Sequence, residues 1–271
     1  MKELLFAGQQ WIAKTSFVNR DDQEVFREID LRIRTVRERG KTPLVILDLD
    51  GTLYEVRPRS LRIVQEWVDH AESGDHPEVR SKLSGLNMDH FGYSLKELFE
   101  SLRFQLEHEK TQHAFNALKE FWGARFFTHD YLSADEPYSG SVEWVHEIYK
   151  KGAKDVYLTG RDEPGMGHGT REKLIRDGFP WGTEGVHLLL KEAYGLPDKE
   201  HKTNAAQWIR KQGEVIASFE NEPPNLVALR DVFPEAMHGF VDTACSDHPA
   251  PIRKGLYKIN GFEEKKNETS T

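Results

Sequence analysis

At 271 residues, the chain is long enough for one large domain or for a core that carries a smaller inserted one. Its 37 basic and 45 acidic residues give a net charge of −8, which argues against a broad nucleic-acid or acidic-membrane surface. The single cysteine, Cys245, excludes an intramolecular disulfide and has no thiol partner for a zinc site.

Met1–Phe17 contains no apolar run of signal or membrane-spanning length, so the cytoplasm is the expected address. Residues 1–40 are expected to form a helical extension packed on the core. In its second helix Val25, Ile29, Ile33 and Val36 recur at helical spacing behind an Asn19/Asp21 cap.

Leu44-Val45-Ile46-Leu47 then runs straight into Asp48-Leu49-Asp50-Gly51-Thr52-Leu53-Tyr54. A continuous apolar run after Pro43 reads as a buried strand of a parallel sheet. Open α/β sheets place their ligand crevice just past the carboxyl ends of the strands, where these two acids stand. A continued strand would send them to opposite faces. Gly51 lets the chain turn at once, so Asp48 and Asp50 can face one pocket. Two converging carboxylates call for a hard divalent cation, and Mg²⁺ favours carboxylates together with phosphate oxygens and water. One acid held ionised can attack phosphorus while its neighbour carries a proton. The Thr52 hydroxyl and the turn amides suit a bound phosphate.

VILDLDGTLY resembles the first signature of the haloacid dehalogenase superfamily of phosphohydrolases. The resemblance implies a Rossmann-like parallel α/β core. It makes Asp48 the nucleophile that forms an aspartyl-phosphate and Asp50 the general acid/base. It also puts Asp48 and the main-chain carbonyl of Asp50 on Mg²⁺. An Asp at the second position matches the phosphatase branch.

After Tyr54, Ser60 is expected to cap a helix from Leu61 to Ala71. The chain stays helix-rich to Phe127, and no strand is foreseen between Thr52 and Asp155. That stretch is too long for a simple crossover, so residues 60–137 read as an inserted helical domain. The resemblance implies a C1-type cap, whose closure excludes water and selects substrates. His108, His113, His129, His146 and His168 lack the i, i+4 pairing of a helical zinc site and read as surface or substrate-facing. Trp122, Phe126, Phe127 and Tyr131 read as the inserted domain's own core.

The core is expected over 41–59 and 138–262. Ser139 is placed as the cap of a helix from Val142 to Lys151, ended by Gly152. Lys154–Leu158 reads as a strand closing in Thr159-Gly160-Arg161, which brings a hydroxyl and a bare amide to the crevice of Asp48. This resembles the superfamily's second signature and makes Thr159 and Gly160 phosphate-binding, with Arg161 a site or loop-ordering residue. Residues 162–169 read as a glycine-dense loop before a helix from Thr170, with His168 a substrate-loop candidate. Val186–Leu190 is a third strand. A lysine is needed near the phosphate. Lys202, opening a helix Thr203–Lys211, is preferred to Lys191 and resembles the third signature.

Glu214–Phe219 makes a fourth strand that runs into Glu220-Asn221-Glu222. Oxygen-bearing side chains there would complete a metal cage with Asp48. They resemble the fourth signature, with Glu220 and Asn221 where aspartates are commoner and Glu222 next. Met237–Val241 is a fifth strand, and 263–271 is expected to be a disordered tail.

The sequence therefore predicts an α/β protein, a Rossmann-like parallel sheet core with an inserted α-helical cap. Its expected activity is Mg²⁺-dependent hydrolysis of a small phosphomonoester through an aspartyl-phosphate. Two rivals stand beside this. One is a phosphate-binding or regulatory protein of the same fold without turnover. The other is a phosphatase acting on nucleic-acid ends, which the acidic balance disfavours. No membrane partner is expected, and the sequence leaves the substrate and the oligomeric state open.

Overall fold

The computed structural model describes residues 3–263; of the tail expected at 263–271, residues 264–271 lie outside them. The chain forms two compact units. The first takes the chain up to Tyr54, then Pro137–Pro164, and then from Leu174 onward. The second comprises Glu55–Glu136 and Gly165–Lys173.

The first unit begins with β1 (Leu5–Phe6), α1 (Gly8–Lys14), α2 (Asp22–Glu38) and β2 (Pro43–Leu47). Asp21 caps α2 through a capping box with Glu24: its carboxylate accepts the Glu24 N–H at 2.8 Å, and Glu24 accepts the Asp21 N–H at 3.0 Å. Val25, Ile29, Ile33 and Val36 are all buried along one stripe of that helix.

The chain leaves through β3 (Tyr54–Glu55) and returns through β4 (Glu136–Pro137), and these two short strands pair. Between them lie α3 (Arg57–Asp69), α4 (Pro77–Leu83), α5 (Leu95–Ser101) and α6 (Glu109–Phe126). This unit has its own core, in which Ile63, Trp67, Leu98, Phe99, Leu118 and Phe121 cluster. Trp122, Phe126 and Tyr131 pack against it, with Trp122 and Phe126 stacked at 4.2 Å. The helix expected from Leu61 begins four residues earlier, because Pro58 fits a helix's first turn. Ser60 therefore sits inside α3, and its hydroxyl accepts the Trp122 indole N–H at 3.1 Å.

The first unit continues with α7 (Ser141–Lys150) and β5 (Lys154–Asp162); α8 (Glu163–Arg176), most of which belongs to the second unit, follows, and then β6 (His187–Lys191) and α9 (Asp198–Gln212) of the first. It ends with β7 (Glu214–Glu220), α10 (Pro223–Val232), β8 (Met237–Val241), β9 (Ala250–Pro251) and β10 (Leu256–Ile259). Six strands form one parallel sheet in the order β10-β8-β7-β2-β5-β6. On one face Leu44, Ile46, Val156 and Leu158 meet Ala206 and Ile209 of α9 and Leu229 of α10. On the other, Trp144 lies 5.2 Å from Phe26 and 5.1 Å from both Phe219 and Phe262. Burial of each such side chain contributes about 1.5–3 kcal/mol. All five residues of β2 are buried, as a strand covered on both faces requires.

Four expectations are corrected. Gly140, at φ +77°, and not Ser139, is the cap position of α7; the Ser139 hydroxyl donates to Glu263 instead. The glycine-dense stretch after Asp162 is no loop: α8 starts at Glu163, with Pro164 in its first turn, where a missing N–H costs nothing. β5 does not close at Leu158 but runs on through Thr159, Gly160 and Arg161 to Asp162, with a register shift against β6. Finally, β10 adds a sixth strand beside β8. No helix among the described residues is long and apolar enough to cross a membrane.

Candidate active site

The site is built at the carboxyl end of β2. The Asp48 N–H continues the ladder to Phe219 O at 3.1 Å, and then the chain folds over. Leu49 O accepts from the N–H groups of Thr52, Leu53 and Tyr54 at 3.2, 2.9 and 2.9 Å. Gly51 stands at φ +78°, and a Cβ there would lie 2.2 Å from the Asn221 side-chain nitrogen. Only glycine meets both demands.

Lys202 answers the need for a lysine. It lies in the second turn of α9, which begins at Asp198 and not at Thr203 as expected. Its Nζ donates to Asp48 Oδ1 at 2.6 Å and to Glu220 Oε2. Asp48, Lys202 and Glu220 are respectively 6, 1 and 0% exposed. The rival Lys191 is turned elsewhere, to Asp198 Oδ1 at 2.9 Å and Tyr194 O at 3.2 Å.

One buried cation thus serves two buried carboxylates. Burial pushes the Asp48 carboxyl up to about 8, the Glu220 charge adds to the rise, and Lys202 opposes it. Burial likewise raises Glu220 against the pull of Lys202. Burial alone would lower Lys202, but Asp48 and Glu220 together outweigh it and hold the ammonium charged. Two buried carboxyls therefore share one cation, and burial favours a proton on Asp48.

Asp50 points to a different cation. Arg161 Nε donates to Asp50 Oδ1 at 3.0 Å, and Nη2 donates to the same oxygen. Thr159 is buried, and its hydroxyl accepts the Arg161 N–H at 3.3 Å. A Cβ on Gly160 would meet Asp198 Oδ2 at 2.4 Å, so the bare Gly160 lets that side chain approach.

Thr52 and Asn221 knit the two strand-end turns together. The Thr52 hydroxyl donates to Asn221 Oδ1 at 3.3 Å and accepts the Asn221 N–H at 3.1 Å. Thr52, expected to face phosphate, is fully buried and staples the two turns. Asn221 Nδ2 donates to Ala244 O at 2.7 Å, and Thr243 Oγ1 donates to Gly51 O. The Glu222 carboxylate is taken by Ser246, which donates its N–H at 3.0 Å and its hydroxyl. Residues 243–246 therefore brace both turns. Sequence reasoning missed them, along with Asp198, because such contacts leave no local pattern. His168 lies on α8 in the second unit, exposed, with Nε2 3.3 Å from Glu172.

Among the described residues, no group of three or more His, Cys, Asp or Glu side chains is arranged to hold a metal ion. Glu220 has both oxygens engaged, Oε2 by Lys202 and Oε1 by the Glu222 N–H at 3.0 Å. Asp48 and the Asn221 amide oxygen, which also accepts the Thr52 hydroxyl at 3.3 Å, would be the side-chain ligands together with the Asp50 carbonyl. Their oxygen chemistry suits Mg²⁺, and a divalent cation would favour the ionised Asp48 that burial opposes.

No family model matches the sequence, and no curated protein matches it. Solved structures do. A candidate phosphatase from Clostridium difficile is 14% identical, with a TM-score of 0.51 over 81% of this chain and 94% of that one. A haloacid dehalogenase-like hydrolase from Streptococcus pneumoniae is 10% identical, covering 82% and 95%, with a TM-score of 0.44. A candidate phosphatase from Clostridium acetobutylicum is 12% identical, covering 82% and 94%, with a TM-score of 0.46. At these identities the likeness is one of fold. The chain shares with the Clostridium difficile structure its fold, a Rossmann-like parallel α/β core.

Proposed function

We propose that the protein is a Mg²⁺-dependent phosphatase that hydrolyses a small phosphomonoester through an aspartyl-phosphate. The helical unit serves as its cap. The observation that carries this reading is Lys202 clasped between Asp48 and Glu220 at adjacent strand ends, with Asp50 two residues along.

In the first step an Asp48 oxygen attacks phosphorus. The bond to the leaving oxygen breaks, and Asp50 gives that oxygen its proton. In the second step Asp50 takes a proton from water as the water oxygen attacks phosphorus, and the bond to Asp48 breaks to release phosphate. Lys202 holds Asp48 in place and offsets charge on the phosphoryl group, while the Thr159 hydroxyl and Gly160 amide receive its oxygens. Asp48, the Asp50 carbonyl and Asn221 would hold Mg²⁺, which would supply Lewis-acid stabilisation of the phosphoryl oxygens.

The test is turnover of p-nitrophenyl phosphate with Mg²⁺ and with EDTA. Metal-dependent release that disappears in Asp48→Asn is the expected result. Full activity in that variant would overturn the mechanism. A second reading, phosphate binding without turnover, is favoured by one observation: Glu220 is fully engaged and Asn221 is neutral. Absence of turnover together with absence of Mg²⁺ binding in calorimetry would select it.

A further inference from the structure

We propose that Arg161 is the positioning residue that fixes the acid/base Asp50 for proton transfer to the leaving group. The inference rests on the phosphatase reading above. Asp50 sits in the turn after β2 with its side chain 31% exposed, and Arg161 grips its carboxylate. Two of its nitrogens, Nε and Nη2, converge on the single oxygen Oδ1 of Asp50.

The guanidinium is itself held. Arg161 is 2% exposed, its backbone N–H is bonded to Thr159 Oγ1 at 3.3 Å, and its Cζ lies 5.5 Å from the centroid of the buried Tyr54 ring. Both anchors belong to the strand ends that form the site. The register shift of β5 after Leu158 lies in the segment that carries Thr159 and Arg161. A planar, preorganised fork on a strand orients a carboxylate in a way that a flexible lysine does not. Burial of the fork against Asp50 favours this role over that of a mobile phosphate clamp.

Proton delivery matters in proportion to the basicity of the leaving oxygen. An alkoxide needs its proton as the bond breaks; p-nitrophenolate leaves without one. The experiment therefore compares kcat/KM, which reports the first phosphoryl transfer, for an alkyl phosphate and p-nitrophenyl phosphate in wild type, Arg161→Gln and Arg161→Lys. Arg161→Gln is expected to lower both values, and the alkyl value about tenfold to a hundredfold further. The inhibition constant for inorganic phosphate should move less than about twofold in either variant. Arg161→Lys, which keeps charge and bulk but not the two-nitrogen grip, should show the same leaving-group bias at smaller size. It carries the test if Arg161→Gln fails to fold.

Equal losses on both substrates would overturn the inference and leave the phosphatase reading standing. So would a phosphate inhibition constant that rises in step with the loss, since that assigns Arg161 to phosphate binding. Wild-type protein that turns over neither substrate would overturn the phosphatase reading and this inference with it.

Discussion

In the helical unit, Arg59 donates Nε–H to Asp135 Oδ1 at 2.8 Å and Nη2–H to Oδ2, and both side chains are fully buried. In the α/β unit, Lys202 is as deeply buried but lies between two carboxylates. The first arrangement is balanced: one cation, one anion, two parallel bonds, and the guanidinium also stacks 4.3 Å from the Phe126 ring. The second has two acids on one cation, and burial raises both, with the Glu220 charge adding to the rise at Asp48. A balanced buried pair holds a structure together. An unbalanced one stores a demand for positive charge that a cation or proton can meet, and such perturbed groups cluster where chemistry is done.

Single substitutions separate the two. Asp48→Asn should lower turnover about 10³-fold or more while leaving the melting temperature unchanged or higher, because it removes one of the two buried acids that share one cation. Arg59→Met should do the opposite. It strands Asp135 without its cation and should cost about 3–5 kcal/mol in urea unfolding, most of it recovered in Arg59→Met/Asp135→Leu. Loss of stability in the first or its retention in the second would break the contrast.

Two uncharged polar positions of the sheet sharpen it further, with opposite pH signs. His238 is buried, with Nδ1 2.7 Å from Ser218 Oγ and Nε2 donating to Phe233 O at 2.8 Å. Burial lowers its pKa from 6.5 to about 4, so the fold prefers the neutral ring. The stability it contributes is whole above pH 6.5 and is lost as pH falls toward 4, by about 3 kcal/mol. Urea unfolding at neutral pH and near pH 4.5 should show the loss, and His238→Gln should flatten it.

Asp155, on β5 at the opposite end from the site, has both carboxyl oxygens buried with no hydrogen-bond partner among the described residues. Burial holds it well above 3.8, so the folded state keeps a proton that the unfolded chain gives up as pH rises. Asp155→Val should therefore stabilise the protein by about 1–2 kcal/mol at neutral pH. The gain should shrink on acidification toward pH 4; a gain that grows there would contradict the account.

The features legible in the sequence are those whose signal is local. An apolar run into D-x-D-G-T can only be a strand that ends in a turn, and Gly51 confirms its reason for being there by its positive φ. Lys202 could be preferred to Lys191 by its place before the fourth strand, although the helix that carries it starts earlier than expected. The failures share a cause. Gly169, read as loop, is a helical residue whose missing Cβ admits His129, at 2.7 Å from where that atom would be. The brace at 243–246, the Asp198 contact with Gly160 and the staple role of Thr52 are long-range contacts that no spacing announces. Segment 165–173, placed with the core by sequence order, groups with the helical unit for the same reason.

In the proposed mechanism Asp48, held by Lys202, is the group that takes the phosphoryl. The direct test is to quench the enzyme during turnover of a phosphomonoester, reduce it with borohydride and locate the modified residue by peptide mass spectrometry. An aspartyl-phosphate becomes homoserine under that treatment, and the account predicts homoserine at position 48, absent in Asp48→Asn. Turnover with position 48 unmodified, or with the label on another residue, would contradict it.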